Sequence, residues 1–335
     1  MRGLQRVIAG RWPTAMLATT AIVVAGSAML VLSPDALAQE KYPSRPLTII
    51  VPTAPASSTD SKARLVATRM RARFGQPVVV ENKPGAGGII GVAYVAKARP
   101  DGYTILHSAL SNLATAPGTV KALTFDPVQD FSGIMLSSEG YIALMTRGEF
   151  KGLTFPQFLD RMRKNPELFP VAGSNTGNEI FLKQIASAAG IPLTYVRYSD
   201  YGRMMTDLWG GRLGGALALL NLFIPPHKSG QGYIVAMSAT ERLPDVPGIP
   251  TMEEGLPGVN LASTSGYFAP ATTPRPIINF LYAQIAETGK DPEVLSGNAD
   301  GGRPLFTTPD ETDAFMKKEV QRWTVLLKEA GIVPQ

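Results

Sequence analysis

The sequence predicts an α/β protein made of two lobes, each built on a doubly wound sheet. Its length of 335 residues exceeds what one hydrophobic core usually serves, which favours two domains. Short apolar runs alternate with segments of helical periodicity, the pattern of parallel strands covered by helices on both faces. With 44% hydrophobic and 18% charged residues, the chain can form packed cores and is not typical of a disordered protein.

Residues 1–38 have the features of a signal peptide. Three arginines precede an uncharged stretch at 14–32, and Ala36-Leu37-Ala38 offers the small residues that signal peptidase accepts. We therefore predict cleavage after Ala38 and a periplasmic mature protein. The uncharged stretch is also long enough to span a bilayer, so an uncleaved membrane anchor remains the alternative.

The first half of the mature chain contains three predicted strands and two predicted helices. The first strand, Leu47–Val51, is apolar and partly β-branched, as in a buried parallel strand. A loop of small residues follows it, and then a helix in which Ala63, Val66, Ala67 and Met70 repeat at helical spacing. The predicted strands are 47–51, 78–80 and 104–106, and the predicted helices are 60–74 and 91–97.

The second half continues the alternation and ends in an amphipathic helix. The predicted strands are 171–172, 194–198, 213–220 and 233–237, and the predicted helices are one that ends at 189, one at 204–209 and the final one. The final helix begins at the capping box Thr308-Pro309-Asp310-Glu311. Its apolar positions recur at helical spacing and predict core packing; they are Met316, Val320, Trp323, Leu327 and Ala330.

Residues that carry most enzymatic chemistry are scarce. The chain has no cysteine, which excludes disulfides, thiolate nucleophiles and Cys-ligated metals, and its histidines are His107 and His227. It lacks the nucleophile-elbow and P-loop motifs, and the glycine-rich segment 85–91 has Ile90 where a dinucleotide fingerprint needs glycine. We predict no enzymatic activity, no cofactor and no metal site, and we interpret that segment as a tight turn that packs a helix against a strand.

Three loops rich in small hydroxyl residues lie between a predicted strand and a helix. They are 57–60, 173–178 and, more weakly, 108–111. Free N–H groups and partial positive charge at a helix N-terminus can hold a carboxylate without buried Lys or Arg. Ordinary N-capping is the simpler explanation of each loop taken alone. The formal net charge of +5 is too small for a nucleic-acid surface. Since one such loop lies in each predicted lobe, we predict an exported protein that binds a small anion between them.

Several short motifs follow one another from the first strand to the C-terminus. They are Val51-Pro52, Ser58-Thr59-Asp60 with Ala63-Arg64, the run 75–88, Pro100-Asp101-Gly102-Tyr103-Thr104, Phe125-Asp126-Pro127, Thr206-Asp207-Leu208 with Gly210-Gly211, Leu243-Pro244-Asp245-Val246-Pro247, Ala269-Pro270 with Thr273-Pro274, and Asp291-Pro292-Glu293-Val294. Together they resemble Bug-type receptors, the extracytoplasmic solute-binding proteins of tripartite tricarboxylate transporters. The resemblance implies a type II periplasmic binding protein with a ligand cleft between lobe I (39–140 plus 265–335) and lobe II (141–264). It also implies integral-membrane transporter subunits as partners, and we expect a monomer.

The resemblance further implies which residues hold a ligand carboxylate. In lobe I these are Ser57, Ser58, Thr59 and the backbone of Ala54, and in lobe II they are Ser174, Thr176 and Gly177. The weaker hydroxyl-rich loop at 108–111 adds Ser108 as a candidate that the resemblance does not supply. This sequence departs from the family pattern in that Thr53 replaces Phe, Ala56 and Ser57 replace glycines, Asn178-Glu179 replace a Ser-rich run, and Gly214 and Ala218 replace acidic residues. The lost acidic residues argue mildly against a cationic ligand.

The far end of the ligand is predicted to lie near Tyr198, Tyr201 and Arg203. We hypothesise that Arg203 binds a second carboxylate and that one of the tyrosines stacks on an aromatic ring, with a solvated helix start as the equal alternative for Arg203. A di- or tricarboxylate, an aromatic carboxylate such as a phthalate isomer, and a nicotinate-like acid all stay open. So does the choice between a transport receptor and a periplasmic sensor of the same fold that feeds a two-component system.

Overall fold

The computed structural model describes residues 42–165, 170–198, 200–298 and 302–334. The signal peptide predicted at residues 1–38 lies outside the described residues and stays a prediction. Within the described residues, no helix is both long and apolar enough to cross a membrane.

Among the described residues, ten strands form a mixed sheet. They are β1 (Leu47–Val51), β2 (Val78–Asn82), β3 (Thr104–Ala109), β4 (Phe131–Arg147), β5 (Val171–Gly173), β6 (Tyr195–Arg197), β7 (Gly215–Leu219), β8 (Gly232–Met237), β9 (Ala262–Pro270) and β10 (Arg303–Pro304). The main order is β2-β1-β3-β9-β4-β7-β5-β6, and β8 and β10 also pair with β4. Strands β1, β2 and β3 are parallel to one another, as are β5, β6 and β7.

Two antiparallel strands join the parallel sets. Strand β4 pairs with β9 from Phe131 to Tyr141 and then with β7 and β8 from Ile142 onward. Strand β9 also pairs with β3. Since β1, β3 and β5 lead into the three hydroxyl-rich loops, those loops follow the carboxyl ends of parallel strands, where ligands bind in open α/β sheets.

The helices cover the strands. They are α1 (Ser58–Phe74), α2 (Ile89–Ala96), α3 (Ser111–Ala114), α4 (Ala116–Thr119), α5 (Phe155–Lys164), α6 (Thr176–Ala189), α7 (Tyr201–Trp209), α8 (Leu220–Ser229), α9 (Arg275–Gly289), α10 (Pro292–Asn298) and α11 (Pro309–Glu329). Every strand and helix predicted from the sequence is present, with ends that differ by a few residues. The capping box of α11 forms as predicted, because Thr308 Oγ accepts from Glu311 N and the Glu311 carboxylate accepts from Thr308 N.

The last helix contributes to two hydrophobic cores. Met316 packs with Ile50, Leu106 and Phe268 beside the first parallel set. Trp323 and Leu327 pack in another cluster, which includes Phe158, Phe181 and Leu217 beside the second parallel set. The predicted apolar stripe of this helix is therefore core, as its spacing indicates.

The glycine-rich turn before α2 brings that helix close to β1. A Cβ atom on Gly91 would lie 2.8 Å from the carbonyl oxygen of Lys83 and 2.9 Å from Cα of Pro52. Those contacts are with backbone atoms, which cannot move aside as a flexible side chain would. The segment 85–91 is thus a tight turn that packs α2 against β1, as predicted from its departure from the spacing of a dinucleotide-binding motif.

Candidate functional site

A cavity of about 250 Å³ lies at the carboxyl ends of β3 and β5 and is bordered by the first turns of α6 and α7, by β9 and by α11. We call it the α6 cavity. Its polar and charged lining residues are Ser111, Ser174, Asn175, Asn178, Asp200, Ser263, Thr264 and Glu319. The others are Gly177, Leu110, Ile142, Tyr198, Tyr201, Met204, Ala218, Leu219, Leu222, Leu261, Ala262 and Trp323.

The start of α6 presents hydrogen-bond donors to this cavity. Asn175 caps the helix, because its side-chain oxygen accepts from the N–H of Asn178 at 2.9 Å. The backbone N–H groups of Thr176 and Gly177 have no hydrogen-bond partner among the described residues. Two free N–H groups at the positive end of a helix are suited to an anion.

The side chain of Asn178 completes this set of donors. It is only 3% exposed, and its Oδ1 accepts from the N–H of Ser174 at 3.1 Å. That bond settles the orientation of the amide, since its oxygen must face the backbone donor. The amide nitrogen has no partner among the described residues, and the side chain lines the cavity. The amide nitrogen of Asn178 therefore adds two N–H donors to that of Gly177, which also lines the cavity.

Thr176 and Ser174 both form hydrogen bonds within the protein. Thr176 Oγ accepts from Arg197, which also pairs with Glu179, and Thr176 does not line the cavity. Ser174 lines the cavity, but its N–H is used by Asn178. The backbone of Gly177, rather than a hydroxyl, supplies the free backbone donor on the lining here.

Both predicted tyrosines line the cavity, with their hydroxyls engaged elsewhere. The hydroxyl of Tyr198 donates to Asp207 at 2.7 Å, and this hydrogen bond raises the pKa of Tyr198. The hydroxyl of Tyr201 donates to the carbonyl oxygen of Leu222 at 2.9 Å, and burial raises the pKa of Tyr201. The two rings can thus offer apolar surface to a ligand, as the stacking hypothesis requires.

Arg203 is exposed and does not line the α6 cavity. Its backbone N–H donates to Oδ1 of Asp200, the residue that caps α7, at 2.6 Å. The charged groups that do line the cavity are two carboxylates, Asp200 and Glu319. The placement of Arg203 fits the alternative of a solvated helix start.

The loop between β1 and α1 lies outside the cavity lining. Ser57 caps α1 through a hydrogen bond from the N–H of Asp60 at 3.2 Å, and its hydroxyl also bonds that of Thr53 at 2.7 Å. Ala54 accepts from the N–H of Ser57. The structure does not bring Ala54, Ser57, Ser58 or Thr59 to the wall that holds Gly177.

The carboxylate of Asp60 stabilises the loop between β1 and α1 by accepting hydrogen bonds. It is 2% exposed and accepts hydrogen bonds from the N–H of Ala56 at 2.8 Å, the amide of Asn82 at 2.8 Å and the guanidinium of Arg64 at 3.0 Å. Burial by itself would raise the pKa of Asp60, but the bonds from Arg64, Asn82 and Ala56 together lower it.

Ala56 has a backbone conformation that favours glycine. Its φ is +64°, at one of the positions where the resemblance expects glycine. We expect Ala56→Gly to raise the free energy of unfolding by about 0.5 to 1 kcal/mol, because a left-handed conformation strains any residue with a Cβ atom. Urea unfolding measures this change. Ala188→Gly, on the exposed side of α6, is the control and should lower the free energy of unfolding by about 1 kcal/mol. If both variants, or neither, were more stable than wild type, the left-handed conformation of Ala56 would not be the cause.

Ser108 and His107 are buried in the protein interior and do not line the α6 cavity. Ser108 is buried and donates to the carbonyl oxygen of Ala109, while the neighbouring residues Leu110 and Ser111 line the cavity. His107 stacks on Tyr267, and burial, reinforced by the charge of Lys62, lowers the pKa of His107 to about 3. The backbone of Thr59 opposes this lowering of the His107 pKa, but it does not form a hydrogen bond with either ring nitrogen. The described residues contain no cluster of ligands suited to a metal ion.

Sequence reasoning missed the contribution of α11 to the site. Glu319 is 7% exposed and pairs with Arg322 at 3.4 Å, and a Cβ atom added to Gly177 would lie 3.8 Å from the Trp323 ring. One signal was available, because Glu319 falls at helical spacing between the core positions Met316 and Trp323. A carboxylate inside an apolar stripe indicates a special environment.

Known proteins with this fold and sequence are solute receptors. Residues 62–332 match the family described as the tripartite tricarboxylate transporter family receptor. A UPF0065 protein of Agrobacterium vitis is 35% identical over 303 residues, which cover 88% of this chain and 87% of that protein.

Solved structures agree with this match. The periplasmic binding protein BugD is 30% identical with a TM-score of 0.74, over 88% of this chain and 100% of that chain. MatC from Rhodopseudomonas palustris with bound malate is 28% identical with a TM-score of 0.71, over 85% of this chain and 100% of that chain. The predicted α/β fold of a periplasmic binding protein is confirmed, as is the prediction of a receptor rather than an enzyme. The chain belongs to the receptor family of tripartite tricarboxylate transporters.

Proposed function

We propose that this protein captures a small carboxylate outside the cytoplasm and delivers it to the membrane subunits of a tripartite transporter. The observation that carries the proposal is the set of free donors on the cavity lining at the start of α6, namely the N–H group of Gly177 and the amide of Asn178. Family membership and the malate bound to MatC support the same ligand class. The predicted signal peptide at 1–38 supports a periplasmic location.

The two predicted lobes belong to this proposal. Strand β4 changes partners at Tyr141 and Ile142, which supports the predicted boundary between 140 and 141. In the proposal the lobes close over the ligand, and closure brings the loop with Ala54, Ser57, Ser58 and Thr59 against it. A ligand drives such closure only through contacts that the open state lacks.

Thermal unfolding with matched pairs of acids and amides tests the carboxylate proposal. Benzoate and benzamide form one pair, and hexanoate and hexanamide form another; succinate, malate and citrate complete the panel. A ligand at a hundred times its dissociation constant adds about 2.7 kcal/mol to the free energy of unfolding, which produces a measurable rise in melting temperature. We expect at least one acid to raise it and the matching amide to leave it unchanged. Equal shifts with acids and amides, or none with any acid, would contradict the proposal.

A further inference from the structure

We propose that this receptor selects carboxylates with one negative charge and an apolar body, and that it discriminates against a second carboxylate. The inference rests on the proposed function, since it concerns the ligand of the same cavity. It is carried by the distribution of charge around the α6 cavity. Donors for one carboxylate lie at a single place, and the remaining charged groups on the lining are anionic.

The single anion site is the start of α6. The N–H group of Gly177 and the amide nitrogen of Asn178 lie on consecutive residues of the cavity lining and lack other partners among the described residues. A carboxylate has two oxygens, each of which accepts more than one hydrogen bond. These donors therefore suffice for one carboxylate and leave none at the start of α6 for a second.

Apart from the hydroxyls of Ser111, Ser263 and Thr264, the uncharged remainder of the lining suits an apolar body. Leu110, Ile142, Met204, Leu222 and Trp323 contribute hydrocarbon or aromatic surface. The rings of Tyr198 and Tyr201 add to it, and their hydroxyls already donate to Asp207 and to Leu222. A ligand ring or alkyl chain placed here gains from leaving water, whereas a charged group would lose its hydration.

The lining holds two carboxylates and, among the described residues, no Lys or Arg. Glu319 is buried, and its one short cationic contact is with Arg322, which also donates to the carbonyl oxygen of Asn260. Asp200 stands at the start of α7, on another side of the cavity. Like charges repel strongly where water is scarce, as around the buried Glu319, and more weakly beside the exposed Asp200; in both places a second ligand carboxylate would be disfavoured.

The nearby arginines outside the lining have other carboxylate partners or lie in solvent. Arg197 pairs with Glu179, and Arg212 pairs with Asp207. Arg203 is exposed and, like these two, is absent from the lining. The proposed ligands therefore differ in charge from the malate bound to MatC, which is a dicarboxylate.

Calorimetric titration with ligands matched in length tests the selectivity. Benzoate against terephthalate and hexanoate against adipate differ by one carboxylate within each pair. We expect the monocarboxylate of a pair to bind the full-length wild type at least about tenfold more tightly. Asp200→Asn keeps a helix cap, and Glu319→Gln keeps the shape of the side chain. Each variant should bind the dicarboxylate more tightly than wild type does, which reduces the ratio between the two dissociation constants of a pair. Glu329→Gln makes the same charge change in the last turn of α11, outside the cavity, and should leave the ratio unchanged.

The outcomes separate this inference from the proposed function. Equal or tighter binding of the dicarboxylates would overturn the charge selectivity and leave a carboxylate receptor in place. Absence of binding by every carboxylate would overturn both. A ratio that none of the variants changes would also overturn the role of Asp200 and Glu319. If Glu319→Gln unfolds the protein, Asp200→Asn still decides, because Asp200 is exposed at the helix start.

Discussion

Replacing Asn178 with aspartate should weaken carboxylate binding by about a hundredfold, which corresponds to about 2.7 kcal/mol. The amide nitrogen that faces the α6 cavity becomes a second carboxylate oxygen, so two donors are lost and a negative charge is gained beside the ligand. Titration calorimetry with the acid that produces the largest thermal shift measures the change.

The fold should tolerate this substitution. Aspartate retains the oxygen that accepts from the N–H of Ser174, and position 178 lies in the first turn of α6, where a negative charge is favourable. The free energy of unfolding without ligand should therefore stay within about 1 kcal/mol of wild type. Loss of binding would then be a local effect on the ligand.

Asn165→Asp provides the matched control. It makes the same chemical change at an exposed residue that follows α5 and lies outside the cavity. Its affinity for the acid should equal that of wild type. Unchanged binding by Asn178→Asp, or equal losses in both variants, would remove Asn178 from the anion site.

Local patterns predict the parallel parts of the fold and miss the strands that join them. Strand β1 is recognisable because its five residues, LTIIV, are almost all apolar. Strand β4 runs through Ser137, Ser138, Glu139 and Gly140, and its register against β9 shifts at two places. Neither a continuous apolar run nor a clean alternation survives in such a strand. Its pairing depends on residues more than a hundred positions away along the chain, which no local window contains.

The same limit applies to the candidate site. The loop 173–178 was predicted because strand, small residues and helix follow one another in sequence, and the structure places Ser174 and Gly177 at the cavity. Glu319 and Trp323 reach it only because α11 packs against both cores. The side-chain direction of Arg203 was likewise beyond the sequence, since its place beside two tyrosines is compatible with both cavity and solvent.

Replacing Asp60 with alanine should lower the free energy of unfolding by about 2 to 3 kcal/mol, because buried donors lose a charged acceptor. Ala56 N–H, the Asn82 amide and Arg64 would all lose their bonds to this carboxylate. The value lies below that of a fully buried pair, since the Arg64 side chain is 49% exposed and partly screened by water. Asp101→Ala removes surface pairs with Arg45 and Arg99 and a hydrogen bond from the Tyr103 N–H, and it should cost about 1 kcal/mol in the same urea titration, less than Asp60→Ala.

The pH dependence identifies the Asp60 carboxylate as the source of this stability. The pKa of Asp60 is lower in the folded protein than its ordinary value of 3.8, so folding favours the charged form. Its contribution is complete above that value and disappears as the pH falls through the lower folded pKa. The stability gap between wild type and Asp60→Asn should therefore be constant near neutral pH and shrink below about pH 4. A gap that stays constant into acid would mean that Asp60 acts by shape, and the first loop would then owe its conformation to packing alone.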